Sequence, residues 1–454
     1  MTLKSIFIFL FCFPITLSCV CQTYYAVTPS AEFYKIEVDD QACSCSLEHI
    51  SSIEDPVVAN GLTFTPDSTL VLNDGNMFEI DTLSGTSTLY FAPPPFSWLG
   101  VNSLVSVGNG IFYGIGGFDG ALYRINVISG TITYLGSTGL EVIGDLTLFN
   151  GNIYYSGPLG IMLLDTNDLT NNQIIVPYLP GHLAAGITAS HICNSFLAFD
   201  WPANQLVLIN IIDGAYTVIC DLPSEIDLFE HISSMLEFAD LSDCEITLDL
   251  DCNNSSGATG ADYNSPDYTC LLPGVGIADE DIRMSYDDII TTMQISVTGN
   301  VPDAPNEFLV LNGGPANIDV DGSGTDVLTL TNTGGAKSTD FKDALRLVLY
   351  RNTAIPLTPG PRTVEVQFTT ASGAMSNVAI AFIQVNAAPS LIVDIGPDQM
   401  ICEGSSAFLD AGSFPGGMYQ WSSGEMTQTI TTADDGQYIV TVSDATHCPG
   451  TDTA

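Results

Sequence analysis

The sequence predicts an all-β chain: an N-terminal β-propeller of five blades, with six the alternative count, followed by two β-sandwich domains. Three observations predict it. A short stretch recurs through the first half at nearly constant spacing. Gly, Ser, Thr and Asn are abundant while only 13% of residues are charged, the composition of tight turns and neutral-polar outer faces. Beyond about residue 241, short apolar–polar alternations stand between Gly- and Asp-rich turns.

The recurring stretch reads Met77-Phe78-Glu79-Ile80-Asp81-Thr82-Leu83-Ser84-Gly85-Thr86 and returns as Leu122-Tyr123-Arg124-Ile125-Asn126-Val127-Ile128-Ser129-Gly130-Thr131. Weaker copies surround Ile36, Leu164 and Ile209, so successive equivalents are 44, 45, 39 and 45 residues apart. Each unit divides into four short strands, for example Gly61–Thr65, Ser68–Leu72, Asn76–Asp81 and Thr86–Phe91. Asp74-Gly75 supplies a hairpin turn between two of them. Four strands in 40–45 residues is the signature of a propeller blade. Thr23–Val27 and Phe33–Val38 lack a leading strand, and Ser234–Phe238 is a leading strand with no unit behind it. Together they predict one blade closed from both ends of the region.

Lys4 and the apolar run Ile6–Leu17 read as a secretory signal peptide over 1–21. A lipid-modified Cys19 is the lesser reading, because Thr16 stands where such boxes carry Leu. No later stretch reads as a transmembrane segment. Three of the twelve cysteines lie in the leader, and the other nine face an oxidising compartment. Cys402 and Cys448, the only two in the last segment, are paired here. Cys252 with Cys270, and Cys193 with Cys220, are the further pairs expected. Cys43-Ser44-Cys45 lacks the second ligand pair that zinc needs.

Acidic residues outnumber basic ones 52 to 9, a net charge of −43. Nucleic acid and anionic membrane surfaces are thereby excluded as partners, and cations are the natural counterpart. Between the leader and residue 241 the only basic residues are Lys35 and Arg124. Six more fall between Arg283 and Arg362. That shift predicts boundaries giving a repeat domain over 22–241, a second domain over 242–387 and a third over 388–454.

Within the repeat region Asp74, Asp119, Asp145 and Asp200 are the carboxylates an enzymatic propeller would draw on, although turns also favour Asp at such places. His182, His191 and His231 have no Ser or Cys beside them in a recognisable motif. Trp98, Trp201, Tyr113, Tyr155 and Phe118 are either a binding face or packing between blades.

The second segment places Asp249-Leu250-Asp251 before Asn253–Tyr263, then Asp279-Glu280-Asp281 and Tyr286-Asp287-Asp288. Clustered carboxylates with Asx-rich turns are hard-oxygen chemistry, suited to calcium. The candidate ligands are Asp249, Asp251, Asp279, Asp281, Asp287 and Asp288; plain turn-capping is the competing role. Asp319-Val320-Asp321-Gly322 matches only the front half of an EF-hand loop. Phe341, Leu345 and Val348 mark one face of a short helix, followed by strand Leu347–Tyr350. The helix, Arg351-Asn352-Thr353 and Ser376-Asn377-Val378-Ala379 resemble the cadherin-like repeats of large bacterial surface proteins, which implies a β-sandwich.

In the last segment Cys402, Trp421, Asp435-Gly436-Gln437-Tyr438 and Cys448 resemble the immunoglobulin/PKD-type repeats of secreted Bacteroidota proteins. The resemblance implies Trp421 in the core and a tyrosine corner at Tyr438. It also implies further repeats and a type IX sorting domain beyond residue 454.

The function expected is that of a non-enzymatic, secreted or outer-cell-surface adhesion protein. Its propeller would meet an extracellular carbohydrate or protein ligand on calcium-stiffened sandwich modules. The alternatives are a secreted propeller hydrolase of lactonase type and a purely structural stalk or spacer.

Overall fold

The computed structural model describes residues 22–39, 44–54, 59–93, 101–116, 119–178, 180–190, 192, 194–223, 231–234, 236, 245–386, 389–402 and 405–454. The expected signal peptide, Trp98, Phe118, His191 and Cys193 lie outside them. The described chain is almost entirely β-structure, with one α-helix, Ser338–Arg346.

Among the described residues the repeat region holds five antiparallel four-stranded sheets. Sheet I contains Gln22–Val27, Glu32–Asp39 and Ser44–Ser52, with His231–Ser233 added beside Gln22–Val27. Sheet II contains Leu62–Phe64, Leu70–Asn73, Met77–Ile80 and Ser87–Phe91. Sheet III contains Val101–Gly108, Ile111–Gly116, Ala121–Asn126 and Thr131–Ser137. Sheet IV contains Leu146–Phe149, Asn152–Gly157, Gly160–Leu164 and Gln173–Pro177, and sheet V contains Ala184–Ala189, Ser195–Asp200, Gln205–Asn210 and Tyr216–Asp221. The strand completing sheet I lies a few residues ahead of the expected Ser234–Phe238. Its register is Tyr25↔Ser233, Ala26↔Ile232 and Val27↔His231.

The repeated Ile-Asp or Ile-Asn step has a local cause. Asp81 Oδ1 accepts the Leu83 and Ser84 N–H groups, and Asn126 Oδ1 accepts those of Ile128 and Ser129. Asp165 and Asn210 do the same for Asn167 and Ile212. Each is an Asx turn that carries the third strand into the fourth. Gly85, Gly130 and Gly214 follow in the left-handed region, with φ of 69°, 69° and 67°, which costs glycine nothing. The accepted N–H groups hold the Asp81 carboxyl below its ordinary range.

Apolar residues fill the space between neighbouring sheets. Phe33 and Phe64 belong to the cluster between sheets I and II, Met77 and Phe112 to that between II and III, and Leu122 and Tyr155 to that between III and IV. Phe149 and Phe196 pack between IV and V, and Tyr24 and Phe199 between V and I. Sheet V thus returns to sheet I, and the disulfide Cys45–Cys220 joins their outer strands with Cα atoms 6.0 Å apart. This corrects the expected Cys193–Cys220 pair: Cys220 faces the outer strand of sheet I.

The middle segment stacks two main sheets over one core, with a two-stranded pair, Thr247–Asp249 with Arg283–Ser285, beside them. The larger runs Tyr263–Asn264, Ala379–Val385, Gly360–Thr370, Ile290–Thr298, Val327–Asn332 and Ile318–Asp321; the smaller runs Val275–Gly276, Val348–Asn352 and Glu307–Leu311. Gly360–Thr370 alternates buried and half-buried positions along its length, as a strand with one face on a core must. Phe341 and Leu345 are fully buried on the helix, as their spacing predicts; Val348 is fully buried too, but as the first residue of the strand Val348–Asn352, because the helix ends at Arg346. Sheet V docks here through Asp213. Its Oδ2 accepts the Tyr286 hydroxyl at 2.9 Å and the Ser338 N–H at 2.7 Å, placing a carboxylate at the helix N-terminus.

In the last segment Ala407–Asp410 pairs with Thr429–Thr432, while Ile439–Ser443 lies between Met418–Trp421 and Gly450–Thr453. Trp421 is buried and donates its indole N–H to Thr427 O at 2.7 Å. Tyr438 Oη donates to Asp434 O at 3.3 Å, a tyrosine corner closed four residues upstream. The expected pairing of Cys402 with Cys448 is overturned. Cys448 bonds Cys270 of the middle segment with Cα atoms 5.5 Å apart, and Cys402 is free and exposed. The physical reason is burial: Cys448 packs into the middle segment's core beside the Cys270 loop, whereas Cys402 lies on a solvent-facing stretch. Cys252 is disulfide-bonded too, so the expected Cys252–Cys270 pair is replaced as well.

Candidate functional site

Two places gather polar chemistry: the centre of the five sheets and the first turns of the middle segment. At the centre, each first strand is tied to the next by a buried hydrogen bond. Ser233 Oγ accepts the Phe64 N–H at 3.2 Å, Thr63 Oγ1 the Ser106 N–H at 3.1 Å, and Ser103 Oγ the Leu146 N–H at 2.6 Å. Asp145 N–H donates to Ala185 O at 3.1 Å, and the Thr188 and Ser234 hydroxyls meet at 3.3 Å. Innermost strands leave edge N–H groups with no strand to pair with, and neutral hydroxyls satisfy them here without adding charge.

Among the described residues Asp145 is the one carboxylate in that circuit. It is fully buried; Oδ1 lies 2.5 Å from His231 Nδ1, and Oδ2 accepts the Ile232 N–H at 2.7 Å. Ser103 Oγ adds a bond to Oδ1 at 3.3 Å. Burial pushes the Asp145 carboxyl up, opposed by His231, the Ile232 N–H and Ser103. The order Ser–Asp–His puts the carboxylate between hydroxyl and imidazole. That order joins sheets I, III and IV but cannot activate the serine, which would need the imidazole at its oxygen.

The other three carboxylates separate cleanly. Asp74 and Asp119 accept the N–H groups of Asn76 and Ala121, as turn residues do. Asp200 is buried and holds His182, with Nδ1–Oδ2 at 2.5 Å, while the imidazole is 35% exposed. The Tyr216 ring lies tilted, its centroid 5.1 Å from that of His182, and burial with the nearby Asp200 charge pushes its hydroxyl up. Trp201, next in sequence to Asp200, is 52% exposed. Tyr155 is buried between sheets III and IV, and burial pushes its hydroxyl up to about 12. It is a packing residue. Tyr113 lies at the margin of the same cluster.

In the middle segment, Asp251, Asp279 and Asp281 each bring a carboxylate oxygen within 4.8 Å of the others. The loop 251–257 positions them. Asp251, fully buried, accepts the Ser255 and Ser256 N–H groups at 2.9 Å each. Asp281 accepts those of Cys252 and Asn253 at 3.2 Å each, and Ser255 Oγ donates to Asp279 at 2.7 Å. Burial raises the Asp281 carboxyl, opposed by the Asn253 N–H and reinforced by the Asp279 and Asp251 charges. Asp249 stands against the group, its Oδ1 accepting the Asp251 N–H at 3.0 Å. Burial first, and then the Asp251 and Asp281 charges, push it up to about 6 against the pull of that N–H and of Arg283. Asp287 lies elsewhere, bonded to Thr370 and Ser372, and Asp288 caps Ile289 N. Asp321 caps Gly322 N. All three donors of the triad are carboxylate oxygens, the set a hard divalent cation takes, and three like charges at this spacing favour one.

Sequence reasoning picked out the triad residues within a set of six. It missed that Asp145 and Asp200 each pair with a histidine, because those partners lie 86 and 18 residues away. It also missed a buried Arg362–Glu307–Asp303 group. Arg362 Nε lies 2.7 Å from Glu307 Oε2 and Nη2 lies 3.6 Å from Asp303, with all three side chains buried.

No protein-family model matches the chain, and no curated protein matches it. Solved structures do. A nidogen/laminin complex aligns at 12% identity over 47% of this chain and 81% of that one, with a TM-score of 0.34. A gluconolactonase from Xanthomonas campestris aligns at 11% identity over 45% and 77%, with a TM-score of 0.32. The extracellular domain of a protein described as a one-component system from Bacteroides thetaiotaomicron aligns at 11% identity over 81% of this chain and 57% of that one, with a TM-score of 0.27. At such scores these likenesses carry no conclusion about chemistry. Among the described residues no helix is long and apolar enough to cross a membrane.

Proposed function

We propose that this is a secreted or cell-surface binding protein with no catalytic role. In this reading the five sheets are the blades of a closed propeller. One end of it meets an extracellular carbohydrate or protein, and the two following segments, cadherin-like and PKD-like, hold it in place. Asp251, Asp279 and Asp281 take a Ca²⁺ that stiffens the loop 251–257 against residues 279–281. The ion would supply the positive charge that these carboxylates lack.

The observation that carries the binding reading is the state of the acids around the sheet centre. Asp145 is consumed by His231 and Ile232, and Asp74 and Asp119 by turns. Trp201 is left as an exposed aromatic surface, suited to stacking on a sugar ring or an apolar side chain. The disulfides Cys45–Cys220 and Cys270–Cys448 support an oxidising, extracellular setting.

One arrangement favours the hydrolase reading: buried Asp200 orients a part-exposed His182, as a general base is oriented. A single pair of assays separates the two. The full chain, with calcium, is screened for retention on immobilised glycans and matrix proteins, and for turnover of aryl esters and aliphatic lactones. The binding reading expects retention that Trp201→Ala abolishes and no turnover. Turnover that His182→Ala abolishes would replace it with the hydrolase.

A further inference from the structure

A cleft of about 470 Å³ lies between the outer strand of sheet V and the helix Ser338–Arg346. Leu208, Ala215 and Val218 make one wall, and Ile282 and Met284 extend the apolar surface. Lys342 enters from the helix. It is only 6% exposed, and among the described residues no side chain or carbonyl is hydrogen-bonded or ion-paired to its amine. Lysine is almost never buried without a partner. In a chain with nine basic residues and a net charge of −43, leaving one of them so placed is exceptional.

The other charged groups around the cleft limit what could pair with it. Arg346 is spent on Asp343 at 2.6 Å and on Glu280 O. Arg283 reaches Cys252 Sγ at 3.8 Å and lies beside Asp249. Glu280, Asp281 and Asp343 are also in the lining, and Asp213 lies close enough to act on Lys342. A multiply charged anion such as phosphate would meet three carboxylates with one uncommitted cation to hold it. A single carboxylate carried on an apolar body sets only one negative charge against those carboxylates, matched by the one cation, and offers the apolar wall its hydrocarbon part. From this geometry we propose that the cleft binds a small organic monocarboxylate, its carboxylate on Lys342 Nζ and its hydrocarbon part along Leu208, Ala215 and Val218. Its volume lies within the range of small-molecule sites. The cleft does not involve the Trp201 face, and it touches the calcium triad only through Asp281.

Lys342 also sets a pH signature. Burial first, then Arg346 and Arg283, lower its amine to about 8, with Asp213 and Asp343 pulling the other way. The cationic form that holds a carboxylate is therefore present at neutral pH and lost as pH rises through about 8. The probe is sodium hexanoate, titrated calorimetrically into the full chain, with inorganic phosphate as the comparison. Saturable hexanoate binding is expected, weakened about tenfold between about pH 7 and pH 9 and at least about tenfold by Lys342→Met. Phosphate is expected to bind more weakly than hexanoate. The wild-type pH series stands even if the variant does not fold. No hexanoate binding, binding indifferent to pH and to Lys342→Met, or tighter binding of phosphate would each overturn the proposal.

Discussion

The sheet region and the middle segment solve the same problem, holding β-strands together, with opposite chemistry. In the sheet region the central bonds are made largely by hydroxyls to backbone N–H groups, and among the described residues two buried carboxylates, Asp145 and Asp200, are each matched by a histidine. In the middle segment charge goes inside: Arg362 with Glu307 and Asp303, the carboxylates of Asp249 and Asp251, and Lys342. Repeated units that meet around a centre cannot each bring a charge there without mutual repulsion, so neutral groups are used. A single two-sheet core can bury a charge wherever one partner is fixed opposite it.

The contrast can be broken most severely at its charged end. Arg362→Ala leaves Glu307 and Asp303 buried without their cation, and a loss of about 3–5 kcal/mol is expected from chemical denaturation. Arg362→Met with Glu307→Gln, which removes both charges, should recover much of that loss. If it does not, the group acts through shape rather than charge.

Asp145→Ala comes next. It removes the acceptor for the buried Ile232 N–H and the partner of His231 together, with an expected cost of about 2–4 kcal/mol, read in the same denaturation experiment. Thr63→Val removes one hydroxyl from the neutral circuit and leaves the Ser106 N–H without that acceptor. About 1–3 kcal/mol is expected, with the middle segment's own transition unmoved. An equal effect on both regions would deny that the two are held separately.

The smallest effect is the acid limb. Burial raises the Asp303 carboxyl, but Thr358, Asn352 and Arg362 outweigh it and hold the group below its ordinary range. A carboxyl lowered in the folded state contributes stability that is present above its unfolded pKa and lost as pH falls through the folded value. The middle segment should therefore weaken below about pH 4, and Asp303→Asn should flatten that limb. An unchanged limb in the variant would assign acid sensitivity to other carboxylates.

The same contrast explains what could be read from the chain. The repeat was legible because its cause is local: Asp81, Asn126, Asp165 and Asn210 each turn the chain within three residues. Helix spacing placed Phe341 and Leu345 correctly for the same reason, while Val348 belongs to the strand that follows. The site was legible only in part. Asp251, Asp279 and Asp281 stand out by composition, but so do Asp287 and Asp288, and only folding separates the cluster from the turn. The Cys270–Cys448 bond, the His231–Asp145 pair and the Lys342 cleft join residues far apart in sequence, and nothing in their immediate neighbours announces the partner.

The proposed calcium site at Asp251, Asp279 and Asp281 can be tested by thermal unfolding of residues 22–454. The melt is recorded with calcium and with chelator, for the wild type and for Asp251→Asn, Asp279→Asn and Asp281→Asn. The account predicts a calcium-dependent rise in the middle segment's transition, worth roughly 4 kcal/mol at a thousand times the dissociation constant. That rise should be lost in each of the three variants and kept in Asp287→Asn. A transition indifferent to calcium, or a rise that survives all three substitutions, would contradict it.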